Sequence, residues 1–207
     1  MNPAQPGRLI YVHGFRSSPQ SFKARLLAQR LAARGLGARF ACPQLPASPA
    51  AAVDRVLREI APGPGDTLVG SSLGGYYATW LAEHCGCRAV LLNPAVAPAR
   101  DLAGWVGVQR MYHSDAEFVF EARYLAELAR LQVAAPSLPQ RYLLIAAKGD
   151  ELLDWREMVA KYPDVPTLLL EGSDHGLSDF AGMLDQVLAF AGLAGAATGS
   201  EPSGERA

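Results

Sequence analysis

Ser72 lies in Gly70-Ser71-Ser72-Leu73-Gly74, a G-x-S-x-G pattern. A serine hydroxyl is a weak nucleophile until a base takes its proton during attack. The pattern follows the apolar run Thr67-Leu68-Val69 and precedes a candidate helix, the context of a nucleophile elbow. Glycines on both sides let strand and helix approach closely, and the hydroxyl then stands clear of the backbone. Ser72, not Ser71, sits between the two glycines at the required spacing.

The chain offers four histidines as a base: His13, His84, His113 and His175. An isolated histidine is more often a hydrogen-bonded structural residue. His175 differs because it lies in Gly172-Ser173-Asp174-His175-Gly176, just past the last apolar run and after Ser72 in order. A carboxylate must then hold the imidazole tautomer and stabilise the imidazolium. Asp150 is the candidate, although a turn or cap role would also suit it. Asp154 is the runner-up and fits better as a helix N-cap. Asp174 adjoins His175 too closely, and Glu151 is a weaker substitute. Ser72, Asp150 and His175 follow the Ser…Asp…His order of one hydrolase fold. The developing oxyanion needs backbone donors. The Leu73 N–H is one, and the loop after the first strand supplies another, from Phe15 or its neighbour. His13 is expected to shape that turn.

The elements that must position these groups follow from periodicity. Apolar runs at 8–12, 38–42, 67–69, 88–92, 141–147 and 166–170 read as strands, most of them followed by helical spacing. Helices are expected at 22–34, with Ser18 as N-cap and Pro19 in the first turn, and from Ser48-Pro49 through Ile60. Others follow the elbow, span 154–162, and run from about Ser178, a candidate N-cap, to Ala191. This alternation predicts an α/β fold: a mostly parallel sheet of about six strands with helices on both faces. Ligands of such sheets bind at the C-terminal strand ends, where the polar motifs fall. Residues 1–193 read as one domain. Residues 95–140 form an insertion without a clear strand, helical over 118–131, that is expected to act as a short helical lid. The 194–207 tail is expected to be disordered. Tyr76, Tyr77, Trp105, Tyr112 and Phe118 could line an acyl pocket, though helix and lid packing would equally explain each.

The 207 residues are half hydrophobic and carry a formal net charge of -1. Nothing in that balance attracts nucleic acid. No apolar run approaches a membrane span, and the first residues lack signal-peptide character, so a cytoplasmic protein is expected. Three cysteines, Cys42, Cys85 and Cys87, argue against a disulfide framework. Cys85-Gly86-Cys87 beside His84 is a weak metal pattern, better read as reduced thiols at a helix end. There is no G-x-G-x-x-G after the first strand and no Walker A motif, so no cofactor is expected.

The runs Tyr11-Val12-His13-Gly14-Phe15, Ser17-Ser18-Pro19 and Gly70 through Thr79 carry a wider resemblance. So do Asn93-Pro94-Ala95-Val96, Gly149-Asp150-Glu151 with Asp154 and Arg156, and His175. Together they resemble the α/β-hydrolases and, more narrowly, the small bacterial YqiA-like esterases, over about residues 8 to 192. The resemblance implies a cytoplasmic serine esterase acting on small acyl esters or acyl thioesters, with the triad on Ser72, Asp150 and His175. Acyl transfer or perhydrolysis by the same triad, and a non-catalytic binding protein on this scaffold, are the competing readings.

Overall fold

The computed structural model describes residues 7–194. Eight strands occur among them: β1 (Leu9–Val12), β2 (Phe40–Ala41), β3 (Thr67–Ser71), β4 (Arg88–Leu92), β5 (Gly107–Arg110), β6 (Glu117–Phe120), β7 (Tyr142–Ala147) and β8 (Thr167–Leu170). The helices are α1 (Phe22–Ala33), α2 (Pro49–Arg55), α3 (Leu73–Cys85), α4 (Pro98–Asp101), α5 (Arg123–Arg130), α6 (Trp155–Lys161) and α7 (Leu184–Phe190). Six strands form one parallel sheet in the order β2-β1-β3-β4-β7-β8. The expected disordered tail lies outside the described residues, apart from its first position.

Strand side chains alternate between two cores, as a period of two requires. Leu9, Tyr11, Val69, Val90, Leu92 and Ile145 pack with α1 and α7. Ile10, Val12, Leu68, Leu91, Leu144 and Ala146 face the opposite side, with α2, α3, α5 and α6. Both sheet faces are therefore covered, which explains why the strands read as continuous apolar runs. The chain runs outward from β1 to β2, then returns to place β3 on the other side of β1. This reversal is a topological switch point, where the C-terminal strand ends leave a crevice. The loop after β1 and the turn after β3 both open there.

Local chemistry sets the helix ends. Ser48 accepts from the Ala51 N–H at 3.2 Å, and Pro49 occupies the first turn of α2, as expected. That helix continues as a π-helical turn over Val56–Ile60 and stops at Ala61. Ser18 does not cap α1; Ser21 does, accepting from the Ala24 N–H. Ser18 instead accepts from the Gln20 N–H and bonds to His113 Nδ1 at 3.0 Å. Nor does Ser178 cap the last helix. Its backbone N–H donates to Asp174 Oδ1, and a 3₁₀ turn over Phe180–Met183 precedes α7.

The main departure lies in the 95–140 connection between β4 and β7. Its expected helix over 118–131 begins only at Arg123, and β5 and β6 form an antiparallel hairpin. Each strand is four residues long, and all their residues except buried Phe120 are exposed or half-exposed. So short an alternation leaves little periodic signal. An ion pair between Arg110 and Glu117 at 2.9 Å joins the ends of the hairpin.

Candidate active site

Ser72 occupies the turn between β3 and α3 at φ 56°, ψ −122°. This positive φ is costly for a residue with a Cβ and persists only where the surroundings impose it. They do so here by close packing. A Cβ on Gly70 would come within 2.3 Å of the Gly74 carbonyl oxygen, and one on Gly74 within 2.0 Å of the Val12 carbonyl oxygen. The Ser72 N–H donates to Leu92 O at 3.0 Å, and Ser72 O accepts from the Ala95 N–H at 3.0 Å. The elbow is thus fastened to the neighbouring strand end on both sides of the serine.

The loops after β7 and β8 bring the other two groups to the same edge. His175 Nε2 lies 3.0 Å from Ser72 Oγ. His175 Nδ1 lies 2.8 Å from Asp150 Oδ2 and 3.0 Å from its Oδ1. An acid opposite Nδ1 favours the tautomer with the proton there, leaving Nε2 free to accept from serine. Asp150's side chain is fully buried, and His175's is 18% exposed. Asp150 Oδ1 also accepts from the backbone N–H groups of Leu152 and Leu153, at 2.9 and 2.8 Å. Those bonds fix the carboxylate before any substrate arrives.

The alternative carboxylates are occupied elsewhere. Asp154 caps α6 through the Arg156 N–H at 2.9 Å. Glu151 accepts from the His175 backbone N–H at 2.9 Å, so it ties the loop and does not touch the ring. Asp174 accepts from the Ser178 N–H, which holds its carboxyl below the usual range. His13 is buried, and its Nε2 accepts from the Leu45 N–H at 3.0 Å. Its Nδ1–H then donates to Gly14 O, and burial pushes its pKa down. It shapes the β1 loop, as expected. His84 stacks on Trp80 with ring centroids 4.9 Å apart. Cys42, Cys85 and Cys87 are free thiols, and burial raises Cys42 and Cys87 to about 12.

Phe15 and Leu73 face the same cavity as Ser72 and His175, a space of about 390 Å³. Neither backbone N–H has an acceptor among the described residues. The cavity walls are largely apolar, from Ala95, Pro98, Leu102, Trp105, Leu152 and Leu153. Tyr112 also lines it. Phe118 and Tyr77 line a second cavity of about 630 Å³ that shares Gly14, Phe15 and Leu73. Tyr76 lines neither; its hydroxyl donates to Leu128 O at 2.7 Å.

The 95–140 connection grips the β1 loop directly. The Phe15 ring makes edge contacts with Trp105, Phe118 and Phe120 at centroid distances of 6.1, 5.8 and 5.2 Å. Arg16 donates to Arg110 O at 2.7 Å, and Arg16 O accepts from the Tyr112 N–H at 2.8 Å.

Two residues near the site carried no role in the sequence reading. Fully buried Asn93, at φ 41°, accepts from the Ala147 N–H at 2.8 Å. Its amide donates to the carbonyls of Asp174 and His175, at 3.0 and 3.2 Å. It therefore joins the ends of β4 and β7 to the histidine loop. Its signal was present as Asn93-Pro94 directly after a strand. Lys23, in the first turn of α1, is also buried and lines the Ser72 cavity. In the sequence it is one charge among several in the helical 22–34 segment.

Sheet order, elbow and strand-end residues define an α/β-hydrolase fold. The chain belongs to the family described as Uncharacterised protein family (UPF0227), whose model matches residues 8–192. This is the YqiA-like group that the motifs resemble. Among solved structures it is similar to a protein from Agrobacterium vitis S4 assigned as a hydrolase. That pair has a TM-score of 0.70 and 19% identity, covering 89% of this chain and 88% of that one. The mouse alpha/beta hydrolase domain-containing protein 10 aligns with a TM-score of 0.66 and 17% identity, over 89% and 90%. Est1E from Butyrivibrio proteoclasticus aligns with a TM-score of 0.63 and 13% identity, over 92% and 88%. Among the described residues, no helix is long and apolar enough to cross a membrane.

Proposed function

We propose that the protein is a serine hydrolase of carboxylic esters, acyl thioesters included, working through an acyl-enzyme on Ser72. The observation that carries this reading is the Ser72–His175–Asp150 relay, with heavy-atom distances of 3.0 and 2.8 Å, on a serine held at positive φ. His175 Nε2 takes the Ser72 proton as Oγ attacks the carbonyl carbon. Asp150 keeps Nδ1 protonated and stabilises the imidazolium. The Leu73 and Phe15 N–H groups donate to the oxyanion, and loss of one such donor typically slows turnover by about 100- to 1000-fold. As the tetrahedral species collapses, the ester C–O bond breaks and the imidazolium protonates the departing alkoxide. Water, deprotonated by the same imidazole, then attacks the acyl-enzyme and frees Ser72. Residues 1–193 act as one catalytic unit, with the 95–140 connection as a lid over the acyl site. The substrate is a small molecule, and the cycle needs no metal or organic cofactor.

The test is a panel of p-nitrophenyl esters and acyl-CoA thioesters of graded chain length, run on the protein and on Ser72→Ala. Turnover that disappears in a folded Ser72→Ala variant is expected. Turnover unchanged by that substitution would contradict the reading.

A further inference from the structure

Lys23 is only 7% exposed, yet it carries an ammonium. Lysine is seldom buried without a partner charge, because desolvating an unpaired cation is strongly unfavourable. Its Nζ donates to the carbonyl of Gly176, the residue after His175, and lies 5.4 Å from the Phe22 ring. It forms no ion pair among the described residues. Asp174 and Asp150 attract it from beyond pairing distance. An ammonium has three donors. One is used, so two N–H groups have no protein acceptor, and Lys23 lines the same cavity as Ser72 and His175.

A clamp for the Gly176 carbonyl would not need a charge; a neutral donor would hold it without the desolvation penalty. Asp174 and Asp150 favour the cation from a distance, and an anion entering the cavity would supply the direct partner it lacks. The other charged or titratable lining groups are His175, His113, Asp101 and Tyr112. Asp101 Oδ1 is held by Arg100 Nε at 2.8 Å, an arginine shared with Glu157, and Asp101 Oδ2 is buried without a hydrogen-bond partner among the described residues. One unpaired cation balances one negative charge, which matches a carboxylate better than a phosphate dianion. Most of the remaining wall is apolar.

We propose that Lys23 is a specificity-determining residue: it pairs with a carboxylate carried by the substrate a few atoms from the scissile ester. This rests on the ester-hydrolase reading. The substrate class becomes monoesters or monothioesters of short dicarboxylic acids, with the free carboxylate on Nζ and the ester carbonyl over Ser72.

Two measurements test it. In the first, kcat/KM is compared for p-nitrophenyl hemiglutarate and the neutral p-nitrophenyl valerate, with Lys23 intact, Lys23→Met and Lys23→Gln. Losing a charge-assisted bond should lower the hemiglutarate-to-valerate ratio by about tenfold or more in both variants. Because the ratio is used, a general loosening of the His175 loop cancels. In the second, monomethyl and dimethyl glutarate are titrated into Ser72→Ala and into Ser72→Ala/Lys23→Met, followed by ligand-observed NMR. The monoester should bind more weakly by about the same factor once Lys23 is replaced, and the diester should not change. An unchanged ratio, or equal monoester binding with and without Lys23, overturns the proposal. The binding arm needs no turnover. A protein that binds the monoester through Lys23 but cleaves neither ester would refute the hydrolase reading alone.

Discussion

Replacing Asp150 by Asn changes one atom and reverses one hydrogen-bonding role. Asp150 Oδ1 accepts from two backbone N–H groups at 2.9 and 2.8 Å, while Oδ2 faces His175 Nδ1 at 2.8 Å. In asparagine the single oxygen stays with the backbone donors, so the amide NH₂ faces Nδ1. A donor there favours the tautomer protonated on Nε2. That nitrogen then cannot accept the Ser72 proton across its 3.0 Å separation. In a serine protease triad the equivalent change lowers kcat about ten-thousandfold, roughly 5.5 kcal/mol of barrier. The same loss is expected here, because the carboxylate side chain is fully buried against His175. The assay is p-nitrophenyl butyrate turnover, with circular dichroism and a urea midpoint to show that the fold survives. Asp154→Asn is the control. Its carboxylate caps α6, so it should cost at most about 1 kcal/mol of stability and leave kcat nearly unchanged. Less than a tenfold loss in Asp150→Asn, or an equal loss in Asp154→Asn, would refute the assignment of the acid.

Asn93→Ala leaves the Ala147 N–H buried without an acceptor and frees two carbonyls of the histidine loop. It should lower stability by about 2 to 4 kcal/mol in urea unfolding and reduce kcat more than it raises KM; stability within half a kcal/mol of the parent would contradict that role. Phe15→Ala removes three edge contacts with the 95–140 connection and should make residues 107–120 cleave faster in limited proteolysis. An unchanged cleavage rate would show that the hairpin is held by other contacts. Burial lowers the Lys23 amine to about 8, against the raising effects of Asp174 and Asp150. The cation is present below that pH and absent above it. Free-enzyme kcat/KM for a carboxylated ester relative to a neutral one should therefore be full near pH 7 and fall as pH rises through about 8. His175, His113, Asp101 and Tyr112 share the cavity, and taking the ratio removes their common effects. A flat ratio over that range would contradict Lys23 as the cation.

Much of the site was legible because it is built from strand ends. Ser72, Asp150 and His175 each follow an apolar run, and for β3 and β7 burial on both faces makes the run conspicuous. The hairpin was not legible. Gly107–Arg110 and Glu117–Phe120 are short and, apart from buried Phe120, exposed or half exposed, and residues 111–116 hold neither glycine nor proline to announce a turn. Ser18-Pro19 looked like a helix start because only local sequence was visible, whereas Ser18 bonds to His113, 95 residues away. Ser178 was misread for a related reason: its N–H finds the Asp174 carboxylate, so the turn closes before the helix begins. Lys23 could not be distinguished from a solvated lysine without knowing that the Gly176 loop covers it.

The central claim is that Ser72 Oγ is the nucleophile. Intact-mass and peptide mass spectrometry after reaction with a fluorophosphonate tests it most directly. One adduct per chain, on Ser72, absent in folded Ser72→Ala and strongly slowed in Asp150→Asn, is the predicted result. An adduct on any other residue, or undiminished labelling of Ser72→Ala, would contradict it.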